Sequence, residues 1–347
     1  MADLLSVAKL AGVSRATASR TFATPERVSP ATRRKVEDAA TQLAFRPNKV
    51  ARQLRARATK MIGVMVPSLN NPVFAEQLHA MEVAAREADY SLIVTTSDYD
   101  PSREQAIVDE MLSQRVDGLA LTVAIAHDSA VLATLKREST PCLLVYNPLH
   151  PGGLPAIGVD NRAAMAEATR HLIALGHRHI GMVAGPLLQS DRARLRYAGY
   201  RQAMREHGLA PQPLIEMPRH TQAELACLAP LLAGHNRLTA VLCTNDLLAI
   251  SLIGELQRAK FSVPGDLSVM GFDGIDLGQR LYPSLCSMEQ PRIEIGRAAI
   301  ATLLAMIQGQ SPPLPFLPHA LREGESVGAP PATRQALTPR SPERNTP

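Results

Sequence analysis

Residues 6–48 read "SVAKLAGVSRATASRTFATPERVSPATRRKVEDAATQLAFRPN", and this stretch decides how the rest of the chain is read. Leu4, Val7, Ala8, Leu10 and Ala11 recur at helical spacing and form one apolar face. Gly12-Val13 interrupts it. Ser14 is placed to cap a second helix from Arg15 to about Phe22, since a hydroxyl one residue ahead of a helix can accept an otherwise orphaned backbone N–H. Ser29-Pro30 repeats the signal, a cap followed by proline at the first helical position. A third helix to about Leu43 then buries Val36, Ala39, Ala40 and Leu43. Two short helices joined by a glycine turn, backed by a third, are the outline of a helix-turn-helix.

The charge of the chain agrees. Residues 1–60 hold thirteen Lys/Arg against four Asp/Glu, a net of +9, and the remainder holds 24 against 28, a net of −4. A basic module on a mildly acidic body is the electrostatic footprint of a nucleic-acid binder. In such a module the start of the second helix enters the major groove. That places Arg15, Ala16 and, one turn on, Arg20 against base edges, where an arginine fork matches the two acceptors of guanine. Ser14, Thr17 and Ser19 are short donors suited to phosphates. Residues 46–60, "RPNKVARQLRARATK", carry many cations and no anion. They are too polar to bury and read as a linker with a task.

From Met61 the rhythm changes to apolar runs of strand length alternating with helical stretches. Strands are expected at 61–67, 90–97, 117–123, 142–147, 179–185, 213–217, 239–245 and 267–274, with helices between them, including one over 222–233. This alternation argues for right-handed parallel βαβ units in two lobes meeting near residue 160. The expected organisation is a small all-α head (1–45), a hinge (46–60) and an α/β body (61–325). The N-lobe takes about 61–160 plus a late crossover near 285–310, and the C-lobe about 161–285 plus 311–325. Residues 326–347 are Pro-rich and expected to be a disordered tail. Apolar residues make up 46 % of the chain, aromatics 3 %, and Trp is absent, so the core is aliphatic. Cys142, Cys227, Cys243 and Cys286 lack metal or redox spacing and sit in apolar runs, which fits buried thiols in a reducing cytoplasm. No signal-peptide pattern and no long apolar run occurs, so neither export nor a membrane is expected.

Ten stretches, "VAKLAGVS" (7–14), "VSPATRRKV" (28–36), "RPNKVARQLR" (46–55), "IGVMVPSLNNPVFAE" (62–76), "DGLALT" (117–122), "VDNRAAMAEATRHLIALGHRHIGMVAGP" (159–186), "RLRYAGYRQAM" (194–204), "CTNDLLAI" (243–250), "VPGDLSVMGFDG" (263–274) and "IGRAAIATLLAMI" (295–307), together resemble the LacI/GalR family of bacterial transcription regulators from residue 3 to about 325. The resemblance implies a helix-turn-helix head on a periplasmic-binding-protein-like body. By position it makes Arg15 and Ala16 base-reading residues and Arg20 a common base contact. Segment 46–60 matches the family's hinge, a short helix formed when two copies meet on operator DNA. There a leucine wedges into the minor groove. Leu54 stands at that position, with Asn48, Lys49, Val50 and Ala51 beside it. An isolated helix this short is marginal in water, which is why it needs a partner. Ala18 departs from the family's usual Val.

The resemblance places a small-molecule effector between the lobes, at the carboxyl ends of the strands. Phe74, Arg196, Asn245, Asp273 and Gln290 match contact positions. Paired Arg and Asp suit vicinal hydroxyls. Where many members carry a stacking aromatic, this chain has Arg219 or His220, and Arg192 and Arg292 also fall near the expected pocket. The effector expected is a sugar, a sugar acid or a phosphorylated metabolite, and the extra cations point to one of the two anionic kinds. His177 and His179 lack a third ligand nearby, so no metal is expected, and no cofactor. The expected protein is a homodimeric repressor that binds a palindromic operator and answers to its effector. The alternatives are a solute-binding protein, which the basic head disfavours, and a sugar-processing enzyme, for which no nucleophile–base or metal constellation is visible.

Overall fold

The computed structural model describes residues 3–45, 58–127, 129–233, 237–314 and 317–331. The hinge residues Asn48, Lys49, Val50, Ala51 and Leu54 lie outside them. The chain divides into two compact units, 1–60 and 61–347.

The head has α1 (Leu4–Leu10), α2 (Arg15–Ala23) and α3 (Pro30–Gln42). The Ser14 hydroxyl accepts from the Thr17 N–H at 3.0 Å, and that of Ser29 from the Thr32 N–H at 3.3 Å. Both start signals therefore act as caps. Gly12 turns the chain from α1 into α2 at φ +65°, a conformation that strains any residue with a Cβ. Val7, Ala8, Ala18, Val36, Ala39 and Ala40 form the core. Leu10, expected inside, is 48 % exposed, and Leu43 is only partly buried against the core. Ala18 has no exposed surface, so the small side chain is what lets α2 approach its neighbours.

The body opens with β1 (Met61–Val66), α4 (Pro72–Glu87), β2 (Ser91–Thr96), α5 (Pro101–Ser113), β3 (Gly118–Leu121), α6 (Ala130–Arg137), β4 (Cys142–Val145) and β5 (Ala156–Ile157). These strands form one parallel sheet in the order β2-β1-β3-β4-β5. The second lobe contains α7 (Asn161–Ala174), β6 (Ile180–Ala184), α8 (Asp191–Glu206), β7 (Ile215–Glu216), α9 (Leu225–Leu228), β8 (Ala240–Cys243), α10 (Asp246–Arg258), β9 (Ser268–Asp273), α11 (Asp276–Gln279), β10 (Cys286–Glu289), α12 (Arg292–Ile307) and β11 (Ala320–Arg322). Its sheet runs β11-β10-β9-β8-β6-β7 and is parallel except for β11. Helix α12 crosses back and packs on α4 and β3 of the first lobe. Strand β10 stays with the second lobe, so the crossover starts after residue 290 rather than at 285.

Two expectations need correction. The helix expected over 222–233 is only α9 followed by a 3-10 turn at Ala229–Leu231, because Pro230 cannot donate to a helix and crowds the preceding turn. The tail does not begin at residue 326. Ser326 donates to the Val269 carbonyl at 2.6 Å and accepts from the Cys286 N–H at 2.9 Å, and the Gly328 carbonyl pairs with His177 Nε2 at 2.8 Å. The C-lobe therefore extends through this segment. The other ring nitrogen of His177 pairs with Thr239 at 2.9 Å, so this buried histidine is a fastening for that segment. Cys142, Cys243 and Cys286 are buried free thiols and Cys227 is half-buried. Among the described residues, no helix is long and apolar enough to cross a membrane.

Candidate functional site

In the head, Ser14, Arg15, Ala16 and Arg20 are exposed, and Thr17 and Ser19 are half-buried. The inward side of α2 is closed by Ala18 and Thr21, each at most 3 % exposed. The side of α2 that carries Arg15, Ala16 and Arg20 is thus exposed while the opposite side is packed. Part of the Ser14 and Thr17 capacity is already used locally, since their hydroxyls pair at 2.9 Å.

In the body, a cleft between the lobes is lined by Phe74, Arg192, Arg196, His220, Asn245, Asp273 and Gln290, all expected there. Arg192 and Arg196 stand one turn apart at the start of α8, which Ser190 caps through the Ala193 N–H at 3.3 Å. Arg196 is held from several sides. Its Nε donates to Asn161 at 2.8 Å, it bonds the Thr244 carbonyl, it pairs with Asp273 at 3.4 Å, and its guanidinium lies 3.6 Å over the Phe272 ring. Burial works against both members of the pair: it pulls Arg196 down to about 10 and pushes the Asp273 carboxyl up, while each partner's charge opposes the other's shift. Asp273 sits at the end of β9 with φ +109°, a strained backbone for a residue with a side chain. Its carboxylate also accepts from Gln290 at 2.8 Å.

Arg192 reaches across the cleft and donates to the Val123 carbonyl at 2.8 Å and to Asp191 at 3.3 Å. Asp191 in turn accepts from Asn147 at 2.9 Å and from the Ala126 N–H at 3.0 Å. These contacts tie the first turn of α8 to the opposite lobe. Glu104 of α5 accepts from the Ala124 N–H at 2.6 Å, and burial pushes its carboxyl up to about 7.

His220 stacks on Tyr99 with ring centroids 4.0 Å apart and pairs with Gln189 at 3.1 Å. Burial, with the Arg192 charge, pulls its imidazole down to about 4. The close approach depends on Gly185, where a Cβ would lie 2.5 Å from the His220 Cα. Asn245 caps α10 and donates to the His220 carbonyl at 2.7 Å, so its role is to hold that loop as well as to line the cleft. Phe74 meets Tyr146 edge-on at 5.9 Å. The cleft is narrow, with a cavity volume of about 40 Å³, room for about three waters.

One expectation does not hold. Arg219 is exposed, bonds Gln222 at 3.0 Å and does not line the cleft, because the loop aims its neighbour His220 inward instead. Arg292 lies beside the cleft, as expected, and donates to the carbonyls of the lining residues Asp273 at 2.9 Å and Gln290 at 3.3 Å without lining the space itself. It pairs with Glu76 at 2.5 Å, Asp276 at 3.3 Å and Glu289 at 3.5 Å, a charge-compensated latch between α12 and its surroundings. The sequence reading missed Asn71, Tyr99 and Tyr146, which also line the cleft. Tyr99 and Tyr146 follow the ends of β2 and β4, and the general rule that ligands sit at the carboxyl ends of parallel strands could have found them.

An exposed arginine-bearing helix-turn-helix and a polar interlobe cleft within one chain define a ligand-responsive DNA-binding regulator. Residues 3–48 match the family described as bacterial regulatory proteins, lacI family, and residues 169–327 match a periplasmic binding protein-like domain. The chain is 34 % identical to the HTH-type transcriptional regulator GntR of Escherichia coli strain K12, over 93 % of this chain and 98 % of that one. It is 33 % identical to the HTH-type transcriptional repressor CytR of the same strain, over 89 % and 91 %. It is also similar to the Lac repressor dimer bound to operator and the anti-inducer ONPF, with a TM-score of 0.82 and 27 % identity over 94 % of this chain and 99 % of that one. The protein belongs to the lacI family of bacterial regulatory proteins.

Proposed function

We propose that the protein is a cytoplasmic, homodimeric repressor of an operon for carbohydrate or organic-acid metabolism, and that a polyhydroxylated metabolite in the interlobe cleft controls its hold on a palindromic operator. The observation that carries this reading is the buried Arg196–Asp273 pair facing the cleft. It supplies fixed donors and acceptors for hydroxyls beside the parts of the chain that join the lobes. Ser14, Arg15, Ala16, Thr17, Ser19 and Arg20 form the reading face, and the hinge around Leu54, with Asn48, Lys49, Val50 and Ala51, pairs with that of a second copy in the minor groove. Effector and operator each favour one of two arrangements of the dimer, so their coupling is reciprocal. No catalytic role, metal or resident cofactor is assigned.

Operator binding by the full chain, measured against salt on DNA selected from a random pool, tests the reading. Several phosphate contacts give a steep log–log slope, and Leu54→Ala lowers operator affinity and DNA bending while sparing effector binding. A shallow slope with no sequence preference would overturn it in favour of a solute-binding protein. That alternative has the head's charge against it.

A further inference from the structure

We propose that the effector is an acyclic or ring-opened hydroxy acid, its carboxylate bound by Arg192 and a neighbouring hydroxyl by Gln290. This deepens the regulator reading above and rests on it. Two cleft-lining side chains carry buried polar atoms without a partner, the second terminal nitrogen of Arg192 and Oε1 of Gln290. The residues are 5 % and 1 % exposed. An unmet buried donor or acceptor is costly, most of all on a charged group, so a pair of them lining one cleft marks what a ligand supplies. The two demands are opposite in kind. Arg192 is a cationic donor and asks for an anion. Gln290 Oε1 asks for a donor, and its orientation is fixed because Nε2 already donates to the Asp273 carboxylate. A carboxylate and a hydroxyl on one small molecule meet both.

The surroundings narrow the class. The carboxylate beside Arg192, Asp191, is already engaged by Asn147 and the Ala126 N–H, so it does not fully neutralise the guanidinium. Only one terminal nitrogen of Arg192 is open, because the other serves Val123 and Asp191. One open nitrogen suits a monoanionic carboxylate better than a phosphoryl group, whose several charged oxygens require more donors and would face Asp273 in the cleft lining. His220 adds no second cation, since its imidazole is held neutral. Flat nucleobases are disfavoured because Tyr99 and His220 already stack on each other at 4.0 Å and leave no slot between them.

Calorimetric titration of the full-length protein with four- to six-carbon aldonic acids, the parent aldoses and aldose 6-phosphates tests the assignment, with release of fluorescent operator DNA as a second readout. An aldonic acid is expected to bind about tenfold or more tighter than its aldose, the gap between a charge-assisted and a neutral hydrogen bond. Arg192→Gln removes that preference and Arg192→Lys retains part of it. Tightest binding of an aldose or an aldose phosphate, or no binding from the panel by a protein that still holds operator, would overturn the hydroxy-acid assignment and leave the regulator intact. Failure of the wild-type chain to select any DNA sequence would instead sink the regulator reading. The wild-type preference order decides the matter even where an Arg192 variant does not fold.

Discussion

The head and the cleft both depend on arginine, and they treat it in opposite ways. Arg15 and Arg20 are exposed on α2. Arg192 and Arg196 are buried, committed to several partners each, and stand against carboxylates. An exposed guanidinium keeps its hydration and rotamer freedom until DNA arrives, and contributes long-range attraction that salt screens. A buried one has lost its hydration at folding, so its geometry is fixed in advance and its remaining valence is specific. The same residue type is a mobile reader in one unit and a preorganised receptor in the other. Removing a cleft arginine should therefore damage stability and ligand response together. Removing a head arginine should leave the fold untouched.

The largest effect that could break this comparison is that of Arg196→Ala. It strands Asp273 as a buried charge, a loss of about 3–5 kcal/mol, visible as a large fall in the melting temperature of the body by calorimetry, with effector response abolished. A variant as stable as wild type would show that the pair is not the anchor its burial implies. Arg15→Ala and Arg20→Ala should each weaken binding to the preferred operator by about 1–3 kcal/mol and relax base preference, with melting temperature and effector affinity unchanged. Equal loss on all sequences would move these residues from base reading to phosphate contact.

A smaller effect sharpens how the body responds to protons. Glu104 has its carboxyl raised from 4.5 to about 7 by burial. A raised carboxyl contributes stability that is fully present below about 4.5 and lost as pH rises through about 7. Glu104→Gln keeps an acceptor for the Ala124 N–H without the charge, so it should raise the melting temperature at pH 8 and leave it nearly unchanged at pH 4.5. A uniform shift at both values would contradict the burial argument. The smallest effect is expected from Ser29→Ala, which removes the cap of α3 and costs about 1 kcal/mol, read by denaturation of the isolated transition of the head and absent from that of the body.

The strained residues of the body repeat the contrast on a finer scale. Asp98, Tyr99, Tyr146 and Asp273 adopt positive φ, and all four follow or end strands that face the cleft. The other positive-φ positions bearing side chains among the described residues mostly end helices, as Ala44, Asp89, Arg115 and Lys260 do. At helix ends that geometry satisfies backbone carbonyls. At Tyr99, Tyr146 and Asp273 it places side chains in the cleft lining.

Local sequence determined the three head helices, because their caps, the Gly12 turn and the helical spacing of small apolar residues each act within a few positions of the chain. It also determined the parallel two-lobed body, because strands buried on both faces read as continuous apolar runs whatever their neighbours are. The family resemblance placed seven of the fourteen residues that line the cleft. Tertiary structure alone decided the rest. No local signal marks strands β5, β10 and β11, which exist through pairing with their neighbours. Segment 326–331 is held by Ser326 and His177, partners far away in sequence. Arg292 is anchored beside the cleft by Glu76, a residue more than two hundred positions earlier, and Arg219 gave way to His220 because Tyr99 and Gly185 made room for a ring there. Spacing records which side chains can share a face. Which of them find buried partners depends on contacts that only the folded chain creates.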